Sequence, residues 1–154
     1  MVSVYDATTG VGLGTTVANS IGSWNLRIVQ SQAIDDLIVK AHDQSGNTGS
    51  VHVVLGTKGD DLITNSAPNE LLYGDSGHDT FVFSGNIGKD TIVDFNASAD
   101  SVQLSQNAFA DFAAVLAHAT QVGSDVTITI DSSNSVTLHN TTLSQLTNQN
   151  IHIV

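Results

Sequence analysis

The chain has 154 residues, a formal charge of −11 from 15 acidic and four basic side chains, and no cysteine. So few scattered basic residues exclude a basic nucleic-acid-binding face, and a chain without cysteine has no disulfide framework. Fourteen of the 15 acids are Asp and only Glu70 is Glu. Asp is a weak helix former, favours turns and binds hard cations through a short carboxylate, so the bias points to turns, sheets and calcium.

In chain order, residues 2–5 read as a short strand, and Gly10, Gly12 and Gly14 punctuate the next stretch. Trp24, Leu26 and Ile28 alternate with polar residues, the period of a half-buried strand. Residues 36–42 set Leu37, Val39 and Ala41 on one face, and residues 43–46 read as a turn. Residues 51–55 form an apolar run. Strands are predicted at 90–95 and 101–104. A helix is predicted over 107–121, capped by Asn107, with a core-facing stripe of Phe109, Phe112, Val115, Leu116 and Ala119. Residues 126–130 and 136–139 read as a hairpin around 131–135. No stretch approaches the roughly 18 apolar residues that span a bilayer, and no basic-then-apolar leader opens the chain.

Between residues 56 and 83 the pattern becomes a nine-residue repeat. Gly56-Thr57-Lys58-Gly59-Asp60-Asp61-Leu62-Ile63-Thr64 is one copy, and Gly74-Asp75-Ser76-Gly77-His78-Asp79-Thr80-Phe81-Val82 is another. The intervening nine residues keep an acid at the sixth place, Glu70, and an apolar residue at the eighth, Leu72. A glycine–aspartate nonapeptide marks a calcium-binding parallel β structure. Each repeat is half a coil, a turn and then a short strand. Ile63, Leu72 and Phe81 are expected to point inward, and turns two repeats apart stack on one edge. Asp61 and Asp79 are thereby expected to meet. Two carboxylates about 5 Å apart repel by on the order of 3 kcal/mol at an effective dielectric near 20, and a calcium ion between them reverses that cost with backbone carbonyls completing its shell. The candidate ligand positions are Gly56, Lys58, Gly59 and Asp61 in the first turn and Gly74, Ser76, Gly77 and Asp79 in the second. Asp90, Asp94 and Asp100 are candidates for a further ion site, or for ordinary strand-end and turn residues.

These repeats resemble the hemolysin-type calcium-binding repeats of the RTX family. The resemblance continues through His78-Asp79-Thr80-Phe81-Val82-Phe83, Lys89-Asp90-Thr91-Ile92-Val93-Asp94-Phe95 and Ala99-Asp100-Ser101-Val102-Gln103-Leu104-Ser105. Val136-Thr137-Leu138-His139-Asn140-Thr141-Thr142-Leu143-Ser144-Gln145-Leu146 with residues 151–154 resembles a type I secretion target region. Together the match covers about two thirds of the chain. It implies a parallel β-roll with Ca2+ in its turns, a segment read by an ATP-driven type I secretion machinery, passage in the unfolded state, and folding on extracellular calcium. Two good repeats and one degraded one imply one or two ions in the roll. Upstream, VSVYDATTGVGLGTT, GSWNLRI and AHDQSGNTGS resemble part of a bacterial immunoglobulin-like repeat. A full sandwich of this kind has about seven strands in about 100 residues.

The expected architecture is therefore all-β. A partial Ig-like β segment (1–50) precedes a short parallel β-roll with calcium-binding turns, one helix and a C-terminal β-hairpin region (51–154). The six histidines, His42, His52, His78, His118, His139 and His152, form no zinc-protease helix motif, and neither a nucleophile elbow nor a P-loop is present. No catalytic activity is expected. The chain is instead expected to be the calcium-folded, secreted C-terminal module of a large surface adhesin. The alternatives are the accessory tail of an exported protease, lipase or polysaccharide epimerase, and a calcium-dependent carbohydrate-binding module. For a glycan target Trp24, Tyr5 and Tyr73 offer few stacking surfaces.

Overall fold

A computed structural model describes residues 1–28 and 33–154. Among these, four strands open the chain: β1 (Val2–Asp6), β2 (Gly12–Thr16), β3 (Asp35–His42) and β4 (Thr48–Leu55). They form an antiparallel run in the spatial order β2-β1-β3-β4. The turn between β3 and β4 is closed by the Asp43 carboxylate, which accepts from the Ser45 and Asn47 amides, and by Gly46 at φ +87°. Part of the Ig-like stretch, residues 29–32, lies outside the described residues. Residue 50 falls inside β4, a single strand that pairs with β3 on one side and with the roll on the other.

The roll then alternates between two sheets. β5 (Leu62–Thr64), β7 (Thr80–Phe83) and β9 (Ser101–Leu104) lie in one sheet, and β6 (Glu70–Tyr73) and β8 (Lys89–Ile92) lie beside β4 in the other. All these pairings within the roll are parallel, as a coil that advances by one strand spacing per full turn requires. Leu62 faces Thr80 and His52 faces Glu70, each eighteen positions on, which is two nonapeptides. Past the repeats the coil lengthens, so that Leu71 faces Thr91 and Thr80 faces Ser101. Side chains alternate in and out along each strand. Ile63, Leu72 and Phe81 point inward as the eighth-place pattern predicts and are 0–1% exposed. Ile92, Val102 and Leu104 continue the same dry column.

The remaining elements plug one end of the roll. They are α1 (Phe112–Ala117), β10 (Ala119–Val122), β11 (Asp125–Thr129), β12 (Ser135–Leu138), a 3-10 turn (Leu143–Gln145) and β13 (Ile151–Ile153). β11 and β12 form the predicted hairpin. β12 adds in parallel to β8, and β13 adds in parallel to β9, closing the four-stranded sheet. Val126, Ile128, Val136 and Leu138 extend the core beyond the repeats.

Two elements differ from the sequence expectation. The helix is six residues long and is capped by Asp111, whose carboxylate accepts from the Ala114 amide at 2.8 Å; Asn107 lies in a preceding turn. Its expected second half is β10, because Ala119 to Val122 pair along β11, a ladder that a continued helix would forfeit. Phe109 and Val115 are nonetheless buried. Residues 23–28 are not a strand. β1 already has β2 and β3 as its neighbours, and the segment instead lays Leu26 against Gly14, with Trp24 and Ile28 over an apolar surface that includes Val39, Val51 and Val53.

Candidate metal centre

Every coil of the roll makes two turns, and these stack into two edges. On the first edge lie the glycine-rich turns after β4 and β6, together with the turn between β8 and β9. Stacking is tight. A Cβ on Gly56 would sit 2.6 Å from the Gly74 carbonyl oxygen, and one on Gly77 would sit 2.5 Å from the Gly59 carbonyl oxygen. Gly77 also holds φ +142°, which side chains disfavour. These glycines thus let one turn's backbone lie directly on the next.

The stacking sets three carboxylates in a row. Asp79 Oδ1 accepts from the Asp61 amide at 3.0 Å, and Asp100 Oδ1 accepts from the Asp79 amide at 3.1 Å. Asp61 itself accepts from the Thr57 amide at 2.5 Å. Asp94 joins this edge by accepting from the Gly74 and Asp75 amides, both at 3.0 Å. Asp60, a residue the repeat pattern did not single out, accepts from the His78 amide one coil further on. Lys58, Gly59, Ser76 and Gly77 are exposed, whereas Gly56 and Gly74 are buried beneath the stack. Asp79 is 2% exposed and Asp100 is 6% exposed. Burial pushes the Asp79 carboxyl up to about 6, and the charges of Asp100, Asp61 and Asp94 push the same way. Carboxylates and turn carbonyls supply oxygen donors along this edge, the exposed His78 ring being engaged with the Ala99 carbonyl, and the carboxylates repel one another. The oxygen donors among these fit a hard cation of the calcium type.

Asp90 is not brought together with Asp94 and Asp100, which both lie on the first edge. Asp90 is the second residue of β8 and Asp94 lies past its end, so the strand separates them by roughly 13 Å at 3.3 Å per residue. Asp90 belongs to the second edge, where its Oδ1 accepts from the Glu70 amide at 2.9 Å. Burial, reinforced by the Glu70 charge, raises the Asp90 carboxyl to about 6, and its Oδ2 is shielded from solvent without a hydrogen bond. Glu70 is fully buried. Beside it stand Asp36 from β3 and His52 from β4, with one donor atom from each of the three within 4.8 Å of the others. Sequence reasoning did not find Asp36 or His52. The only available signal was the eighteen-residue offset from His52 to Glu70, which is the roll's own period.

No family model matches the chain, and no curated protein matches it. Among solved structures it is similar to the extracellular lipase LipA from Serratia marcescens, at 17% sequence identity and a TM-score of 0.46, over 77% of this chain and 29% of the lipase. The chain thus spans less than a third of that protein's length. Among the described residues no helix is long and apolar enough to cross a membrane.

Proposed function

We propose that this chain is a calcium-folded module of the RTX type, working within a protein exported by type I secretion and acting outside the cell, most simply as part of a surface adhesin. The observation that carries this reading is the pair of glycine turns stacked eighteen residues apart, with Asp61, Asp79 and Asp100 aligned along one edge. In this reading the chain has no catalytic role of its own. Its first four strands, with their resemblance to an immunoglobulin-like repeat, extend the larger sheet of the roll.

Each group then has a defined part. Asp79 with its neighbour Asp61 on one side or Asp100 on the other would hold an ion between adjacent coils, together with turn carbonyls such as those of Gly59 and Gly74. Calcium, when bound, supplies positive charge that cancels the repulsion along the edge. Without it, eleven excess negative charges and a row of crowded carboxylates oppose collapse, which keeps the chain suited to passage in an unfolded state. At the millimolar calcium found outside cells, binding energy becomes folding energy, and extracellular calcium modules commonly bind at about 10⁻⁴–10⁻³ M.

The test is a calcium titration monitored by circular dichroism and Trp24 fluorescence, with magnesium as control, on the wild type and on Asp61→Ala/Asp79→Ala. A calcium-specific gain of β structure that the double variant lacks supports the reading. A chain equally folded in chelator and in calcium would leave the repeats as plain turns and remove the proposed export-and-fold role.

A further inference from the structure

We propose that Asp36, His52 and Glu70 form a binding site for a first-row transition-metal dication of the zinc class, separate from the glycine-rich edge of the roll. The three residues stand on adjacent strands, β3, β4 and β6. Strand register puts their side chains on one face, the face that carries Val54 and Leu72. His52 Nδ1 lies 3.1 Å from Asp36 Oδ1 and 3.6 Å from Glu70 Oε1. Donors each about 2.0–2.2 Å from a shared ion are separated by about 3.0–3.6 Å in tetrahedral or octahedral geometry; both separations from His52 match this, and the Asp36 and Glu70 donors lie within 4.8 Å of each other.

A second observation points into the same space. Asp36 Oδ1 and His52 Nδ1 are both shielded from solvent, and neither has a hydrogen bond of acceptable geometry. Buried polar atoms in folded proteins are nearly always satisfied, and here the two unsatisfied atoms face each other and Glu70. Asp36 is held from behind at Oδ2, and Glu70 is fixed by contacts to both of its oxygens, Oε1 included. Ser66 Oγ lies 3.0 Å from Asp36 Oδ2 and 2.5 Å from Glu70 Oε1, and the Ser66 and Ala67 amides donate to Glu70 at 3.0 and 2.9 Å. Such outer hydrogen bonds orient metal ligands and hold the donor atoms toward the ion. One imidazole and two carboxylates form a donor set for zinc, nickel or cobalt rather than calcium, which takes oxygen ligands. Three protein ligands also leave a position for water. An ion here would join three successive strands where the antiparallel run enters the roll.

The test is a zinc titration of the full chain in millimolar calcium, so that the glycine-rich edge is saturated. Binding is read by calorimetry and by nitrogen chemical shifts of the His52 ring. One equivalent of zinc is expected at micromolar affinity or tighter, with Nδ1 as the shifted nitrogen. His52→Ala is expected to weaken binding by at least about 100-fold, and Asp36→Asn, which keeps the side-chain shape, by at least about 10-fold, since changing even the outer partners of metal ligands costs about 10–100-fold. Circular dichroism in calcium checks that both variants keep the fold. Absence of binding at millimolar zinc, binding unchanged in both variants, or full displacement of zinc by calcium would overturn the proposal. The first result would leave His52 as an ion-pair partner between two carboxylates.

Discussion

The two edges of the roll are made by the same coil yet hold different chemistry. On the first, the turns are short and glycine-rich, the rungs Asp61, Asp79 and Asp100 repeat, and carboxylates and turn carbonyls supply oxygen donors. On the second, Asn69 takes the left-handed conformation at φ +64°, the rungs are Glu70 and Asp90, and His52 and Asp36 arrive from the neighbouring antiparallel strands. The difference shows how a repeat writes only one of its edges. A side chain that recurs with the coil period stacks on its own copy. A side chain supplied by a strand outside the repeat meets its partners only through sheet pairing.

The largest expected effect breaks the first edge. In calcium at 100 times its dissociation constant, the ion contributes about 2.7 kcal/mol. Asp61→Ala/Asp79→Ala is expected to lose that whole contribution, measured as the difference between urea midpoints in calcium and in chelator. In chelator alone the same variant is expected to lose less than it does in calcium, because relief of carboxylate repulsion offsets the lost hydrogen bonds to the Thr57 and Asp61 amides. A variant that loses stability equally in both conditions would make these residues structural rather than metal-binding.

Next in size is the stacking itself. Gly77→Ala puts a Cβ against the Gly59 carbonyl at a strained φ, and is expected to cost about 1–3 kcal/mol. Gly88→Ala tests the second edge in the same way, since at φ +71° its Cβ would come 2.8 Å from the Pro68 Cβ. Gly123→Ala, also at positive φ but facing open space, supplies the backbone cost alone and is expected to be the mildest of the three. Thermal unfolding of the set separates crowding from backbone strain at each edge.

Acidity distinguishes the edges further. Asp79 and Asp90 are each raised to about 6, both through burial first. A carboxyl raised in the folded state binds more protons there than in the unfolded chain, so its contribution is fully present below pH of about 4 and is lost as pH rises through about 6. In chelator the protein is therefore expected to be more stable at pH 4.5 than at pH 7.5. Calcium is expected to offset the loss from Asp79 at the higher pH, while Asp90→Asn removes the share belonging to the second edge. Denaturant titrations at the two pH values check this, and a flat profile in chelator would mean that neither carboxyl is perturbed. The smallest effect is expected for Ser66→Ala, which removes one hydroxyl from between Asp36 and Glu70 and costs about 1 kcal/mol, read as a small fall in the urea midpoint.

Much of the roll is legible in the chain. The eighteen-residue spacing of Gly56 and Gly74 foretells the parallel pairing of β5 with β7, and the eighth-place pattern foretells the burial of Ile63, Leu72 and Phe81. The strand predicted at 101–104 and the hairpin around 131–135 are present as well. The reason is that these features rest on local period and turn chemistry, which act over a few residues. The candidate site divides along the same line. Asp61 and Asp79 are foreseeable from register, whereas Asp94 and Asp60 join that edge through backbone amides donated by other coils.

By itself, then, the sequence determined the coil: its period, its inward column and the meeting of Asp61 with Asp79; that Asp100 continues their row is a finding of the structure. Only the tertiary structure decided the features that depend on pairing between distant segments. It ended the helix at Ala117, because β10 gains a partner strand there. It left residues 23–28 outside the sheet, with Leu26 packed against Gly14 and Trp24 and Ile28 over the apolar face of the antiparallel strands. It sent Asp90 to the edge opposite Asp94, because one strand length lies between them. It also placed Asp36 and His52 beside Glu70, since that meeting depends on the antiparallel register of β3 on β4 and the parallel register of β4 on β6, and no local pattern encodes either.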